Sequence, residues 1–167
     1  MTAENLVLAE GHVSRVRTLL VDDNDDFLDG LAAWLTHDPQ VEIVGRAHSG
    51  REAIERVVQL TPDLVLMDVS MSEINGFEAA RKIKTDAGAP AVILMTFHDS
   101  HAARLEAWAA GADSFLAKSE ITGRLTVMIE DLFRQRRREA DERRKSFAKS
   151  TDVRKPNKQG PPRDLSE

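Results

Sequence analysis

Residues 19–31 read LLVDDNDDFLDGL, an apolar run followed by four aspartates in five positions and then by a second apolar pattern. Carboxylates this close repel one another, so the crowding calls for a physical cause. The run before the acids has strand length. After them, Phe27, Leu28, Leu31, Trp34 and Leu35 keep the spacing of one helix face. A strand that turns directly into a helix is the repeating unit of α/β proteins.

The same alternation continues along the chain. Residues 17–21, 41–44, 64–67, 91–95 and 114–117 read as five short strands, several of them continuously apolar, as parallel strands covered on both faces are. Between them lie helical stripes: Ala53, Ile54, Val57 and Val58; Phe77, Ala80 and Ile83; Leu105 and Trp108; then Ile121, Leu125, Met128, Ile129 and Leu132. The pattern predicts an α/β fold, a doubly wound five-stranded parallel sheet with five helices, the last of them extended. Ligands of such sheets sit at the carboxyl ends of the strands.

That rule gathers the opening acids with distant residues. Asp22 and Asp23 follow the first strand, Asp68 ends the third in LVLMD, Thr96 ends the fourth in VILMT and Lys118 ends the fifth in FLAK. Asp25 and Asp26 read as helix-capping acids, favoured by the helix dipole. Taken singly, Thr96 reads as a cap and Lys118 as a solvated lysine. Together the five are a site. Carboxylates converging on one pocket push each other's pKa upward unless a cation joins them. Carboxylate oxygens with a backbone carbonyl and waters suit a hard cation, and so few protein ligands favour Mg²⁺ over a Ca²⁺ cage.

Composition bounds the alternatives. The chain has 167 residues, 41% of them apolar, enough for one core, and no cysteine, which leaves neither disulfides nor thiolate metal sites. No apolar run is long enough to span a bilayer, and Glu4 and Glu10 replace the basic start of a signal peptide, so a soluble, cytoplasmic protein without membrane contact is expected. The net charge of −5 divides unevenly. Residues 1–133 carry 11 Lys/Arg against 22 Asp/Glu, and residues 134–167 carry 12 against 6.

The ordered set Asp22-Asp23, Met67-Asp68, Met71, Asn75-Gly76, Thr96, Ala110-Gly111-Ala112 and Phe115 three residues before Lys118 resembles the receiver domains of bacterial two-component response regulators. The likeness covers roughly residues 17–133, and GADSFLAKS looks most like receivers that usually precede a helix-turn-helix domain. No such pattern follows here, and a stand-alone receiver is expected.

The resemblance implies roles residue by residue. Asp68 would be the nucleophile that takes a phosphoryl group from a histidine kinase or phosphotransfer protein. Asp23, Asp68 and the backbone carbonyl of Ser70 would hold Mg²⁺, with Asp22 close by or acting through water. Lys118 would pair with a phosphoryl oxygen and Thr96 would donate its hydroxyl to another. Phe115 would follow Thr96 inward and remodel the face made by the fourth helix, fifth strand and fifth helix. Ser70 and His98 look like positions that tune the lifetime of the phosphorylated state.

Two departures stand out. Ser72 occupies a position where the family usually has proline, which leaves that loop less constrained. Phe97 replaces the small residue usual after the threonine, and its ring is expected to restrict water and lengthen that lifetime. These departures keep open a degenerate receiver that acts as a scaffold without phosphorylation. Dehalogenase-type phosphatases also use an Asp nucleophile after a parallel strand, but want a second acid where Ser70 stands. VDDNDDFLDG has no glycine-rich turn for a dinucleotide, so an ordinary metabolic enzyme is not expected.

Beyond Phe133 the apolar spacing stops, yet RQRRREADERRKSF keeps good helix formers. The segments expected are an N-terminal extension 1–16, a receiver 17–133, a basic helical extension 134–148 and a disordered tail 149–167. The basic tail would keep the chain solvated; contact with nucleic acid, an acidic partner or a second copy in a homodimer are the weaker alternatives. Output is expected through a phosphorylation-dependent contact with a downstream protein not identifiable from sequence.

Overall fold

The computed structural model describes residues 15–152, with side chains through residue 148. Five strands form one parallel sheet: β1 (Val16–Val21), β2 (Val41–Ala47), β3 (Leu64–Asp68), β4 (Ala91–Thr96) and β5 (Ser114–Ala117). The described residues also form five α-helices: α1 (Asp25–Leu35), α2 (Gly50–Leu60), α3 (Gly76–Ile83), α4 (His101–Ala109) and α5 (Ile121–Asp152). The strand order is β2-β1-β3-β4-β5, the doubly wound arrangement expected.

Every residue of β3 and β4 is buried, which is why both read as unbroken apolar runs. Edge strand β2 is covered less and carries Glu42 and Arg46. It runs three residues past its expected end, through Gly45 and Arg46, because Ala47 still pairs with Val21. The core between sheet and helices joins Leu19, Val65, Met67, Val92 and Leu94 to Phe77, Ala80 and Ile83.

Two helix faces differ from the periodicity. Leu105 and Trp108 of α4 are 57% and 67% exposed, and the residue this helix buries is Ala107. Ala103, Ala107 and Ala110, spaced i, i+4, i+7, form the inward stripe, so small residues and not large ones face the sheet. Val58 is likewise exposed, while Ala53, Ile54 and Val57 reach the core. The first helix is capped by Asn24, whose side chain accepts from the Phe27 N–H, and not by Asp25 or Asp26, which lie in the first turn. Those two acids still face the positive end of the helix dipole.

The AGA sequence has a steric basis, since Gly111 adopts φ +79° just past α4, a left-handed position where glycine is favoured. Gly76 has another. A Cβ there would lie 2.3 Å from the carbonyl oxygen of Asp68, so the first turn of α3 rests directly on the backbone of that aspartate. Gly76→Ala is therefore expected to destabilise the fold by about 1–3 kcal/mol, as overpacking does. Chemical denaturation would show a lower midpoint, and an unchanged midpoint would mean that the loop yields freely.

By contacts the chain divides after Thr126. The first unit holds the sheet and α1 to α4. In the second, α5 continues through Asp152, past the expected start of a disordered tail at 149, and internal pairs run along it: Arg134 with Glu130 at 3.1 Å and with Asp131 at 2.9 Å, and Gln135 with Glu139. The expected extension 1–16 lies almost wholly outside the described residues, as does the tail from residue 153.

Candidate functional site

Register alone brings the strand ends together. Val21 pairs with Met67, so Asp22 lies beside Asp68; Asp68 pairs with Met95, which precedes Thr96; Thr96 pairs with Ala117, which precedes Lys118. The crossing point of the sheet falls between β1 and β3, where the connections leave in opposite directions and open a crevice. Asp22, Asp68, Thr96 and Lys118 are all buried there, and Asp23 is exposed.

Lysine links the acids. The Lys118 ammonium lies 2.5 Å from Asp22 Oδ2 and 2.9 Å from Asp68 Oδ1. The remaining carboxylate oxygens accept backbone donors, Asp22 Oδ1 from the Asn24 N–H and Asp68 Oδ2 from the Ser70 N–H. Burial nonetheless pushes the Asp68 carboxyl above the ordinary aspartate range, with the charge of Asp22 adding to the rise, while Lys118 and the Ser70 N–H oppose it. A carboxylate buried in this way is favoured in its charged form by more positive charge than one lysine supplies.

Donor chemistry fits that need. Asp22, Asp23 and Asp68 each offer a carboxylate oxygen, and the three oxygens lie within 4.8 Å of one another. These are hard, anionic ligands with no nitrogen or sulfur among them, the set that suits Mg²⁺. Ser70 lies two residues past Asp68, in the loop that leaves β3, and is exposed.

The remaining residues singled out from sequence lie near the same edge. The Thr96 hydroxyl oxygen accepts from the His98 N–H at 3.1 Å, which shapes the turn after β4. Phe97 is 72% exposed, and its ring centroid lies 4.6 Å from the Lys118 ammonium. Phe115 is half-buried beneath the Arg104 guanidinium, 5.8 Å from its ring centroid, and Arg104 is held in turn by both carboxylate oxygens of Asp99. Phe115 pairs with Leu94, two residues before Thr96, so alternation puts Phe115 and Thr96 on one face of the sheet. Ser72 is exposed in the loop between β3 and α3.

Sequence reasoning missed Phe27. Its ring centroid is 4.0 Å from the Lys118 ammonium, although helical spacing groups Phe27 with Leu28, Leu31 and Leu35. The available signal was its place in the first turn of a helix that begins beside the acids.

Comparison with known proteins agrees with this geometry. Residues 18–130 match the response regulator receiver domain family. The chain is 36% identical over 104 residues to the transcriptional regulatory protein LiaR of Bacillus subtilis, covering 62% of this chain and 49% of LiaR. Over 119 residues it is 36% identical to a protein-glutamate methylesterase/protein-glutamine glutaminase of Nocardioides, covering 70% of this chain and 32% of that protein. It thus spans half or less of the length of these curated relatives. Among solved structures, a LuxR-family two-component response regulator from Aurantimonas superposes with TM-score 0.68 at 32% identity, covering 71% of this chain and 85% of that one. The response regulator domain of Thermotoga maritima CheB gives TM-score 0.63 at 28% identity, covering 72% and 95%. Among the described residues no helix is long and apolar enough to cross a membrane. With acids just after β1 and at the end of β3, a hydroxyl at the end of β4 and a lysine just after β5 on one sheet edge, the chain belongs to the response regulator receiver domain family.

Proposed function

We propose that Asp68 accepts a phosphoryl group from a phosphohistidine on a histidine kinase or phosphotransfer protein, and that the phosphorylated domain signals through a contact with a downstream protein. The observation that carries this reading is the buried Asp68 carboxylate, 2.9 Å from Lys118 and grouped with Asp22 and Asp23 at the carboxyl edge of the sheet. An Asp68 oxygen forms the new O–P bond as the P–N bond of the donor breaks, and the electron pair of that bond returns to the imidazole nitrogen. Asp23 and Asp68, with the Ser70 carbonyl and with Asp22 close by, would hold Mg²⁺. Held there, it would supply positive charge against the transferring phosphoryl group. Lys118 then pairs with one phosphoryl oxygen and Thr96 donates its hydroxyl to another. Movement of Thr96 frees space on the face that Phe115 shares with it, which couples acceptance to the surface around β5. The chain performs no catalysis beyond its own phosphorylation and dephosphorylation.

The test is direct. With Mg²⁺ and acetyl phosphate, intact-mass measurement is expected to show the gain of one phosphoryl group, and peptide mapping should place it on Asp68. Absence of any gain with acetyl phosphate and with phosphorylated histidine donors would leave the scaffold reading standing instead.

The exposed ring of Phe97 lies 4.6 Å from the Lys118 ammonium, next to this pocket. Phe97→Ala is expected to speed decay of the acyl phosphate roughly fivefold, which corresponds to about 1 kcal/mol of barrier. Following loss of label after donor removal measures it, and an unchanged half-life would refute the shielding.

A further inference from the structure

Lys118 is gripped by more than carboxylates. Its ammonium sits 4.0 Å from the centroid of Phe27 and 4.6 Å from that of Phe97, and the two rings meet edge to face at 6.4 Å with an interplanar angle of 69°. We propose that Phe27 and Phe97 are positioning residues that clamp the Lys118 ammonium against the acceptor, so that phosphoryl transfer to Asp68 depends on the aromatic character of both rings. This rests on the reading of Asp68 as the phosphoryl acceptor.

An ammonium has three N–H donors, and the carboxylates of Asp22 and Asp68 occupy two of them. A third donor facing water would let the lysine swing outward on its flexible stem. Ring faces attract a cation within about 6 Å without accepting its proton in the manner of an oxygen, so they hold the charge and still leave a donor for an arriving phosphoryl oxygen. Both rings are placed by backbone hydrogen bonds. The Phe27 N–H donates to the Asn24 cap at 2.9 Å, and the turn carrying Phe97 is closed by the His98 N–H donating to the Thr96 hydroxyl oxygen. Phe97 is 72% exposed, so burial gives the fold little reason for a ring at this position.

The test separates the clamp from simple covering. In NMR spectra of the full chain, the Lys118 ε-methylene protons should be shifted upfield of those of the other lysines by the two rings. Phe27→Leu and Phe97→Leu should each reduce that displacement. Leucine keeps apolar bulk and loses the ring quadrupole, so each variant should slow transfer from acetyl phosphate about three- to thirty-fold, the range of cation–π strengths expressed as a rate. Phe27→Tyr and Phe97→Tyr should restore both the proton shift and the rate. Ordinary ε-methylene shifts in the parent chain, or leucine variants that accept phosphoryl groups at the parent rate, would overturn the clamp. A parent chain that takes up no phosphoryl group would overturn the acceptor reading and the transfer half of this proposal with it, whereas the proton shift depends on the clamp alone.

Discussion

Asp68→Asn is expected to abolish phosphoryl labelling completely and, without metal at neutral pH, to make the fold more stable than the parent. The first half follows from chemistry, because an amide offers no carboxylate oxygen to attack phosphorus. The second follows from burial. Burial raises the Asp68 carboxyl above 3.8, its value when unfolded, and the opposing pull of Lys118 and the Ser70 N–H does not fully offset the rise. A group with a raised folded pKa contributes stability that is fully present below its unfolded pKa and is lost as pH rises through the folded one. As pH rises through the raised folded pKa that stability is lost for aspartate, whereas asparagine does not titrate and loses none. The advantage of the variant should therefore shrink as pH falls toward 3.8. Saturating Mg²⁺ should reverse the order, since an ion at tenfold its Kd adds about 1.4 kcal/mol to the chain that binds it. Thermal unfolding at several pH values, with and without Mg²⁺, reads all of this. A variant less stable than the parent at neutral pH without metal would show that Lys118 outweighs burial.

How much of this was legible in the sequence depends on which forces leave a trace in residue order. Strands β3 and β4 are covered on both faces, so each reads as an apolar run closed by one polar residue, and that residue is Asp68 or Thr96. Parallel register then aligns neighbouring strand ends, and the positions of the polar group followed without knowledge of any contact. Edge strand β2 reads three residues short in sequence, because Gly45 and Arg46 look like a break until Ala47 finds Val21 across the ladder. In helix α4 the large residues Leu105 and Trp108 suggest one inward face, although alanines of the same periodicity face the sheet. Spacing gives a helix its stripes but does not say which one is buried. Phe27 shares a helical stripe with Leu28 and Leu31, and such a stripe cannot show where the helix starts relative to a pocket formed from four other segments. The Asn24 cap sets that start, and it brings the ring over Lys118.

Lys118→Met is expected to cost the metal-free fold about 3–5 kcal/mol, the usual penalty for removing one partner of a buried ion pair. Methionine keeps the length and apolar stem of lysine, so packing changes little and the loss is one of charge. The lysine side chain is 3% exposed, that of Asp22 1% and that of Asp68 5%, so the variant leaves two carboxylates facing each other out of reach of bulk water. For a domain of this size the melting temperature should fall by more than ~10 °C. If uncompensated charge is the cause, neutralising one acid must repair it, and the double variant Lys118→Met with Asp22→Asn should recover most of the loss. Mg²⁺ should recover part of it in the single variant, because the ion brings positive charge to the same oxygens. Phosphoryl transfer should not recover with stability. The lysine stabilises charge that develops on the phosphoryl oxygen in a dry pocket, and removing one such donor from a preorganised site costs about 10²–10³ in rate. A single variant within ~0.5 kcal/mol of the parent is what a solvated surface lysine would give, and it would mean that the acids at 22 and 68 do not depend on this cation.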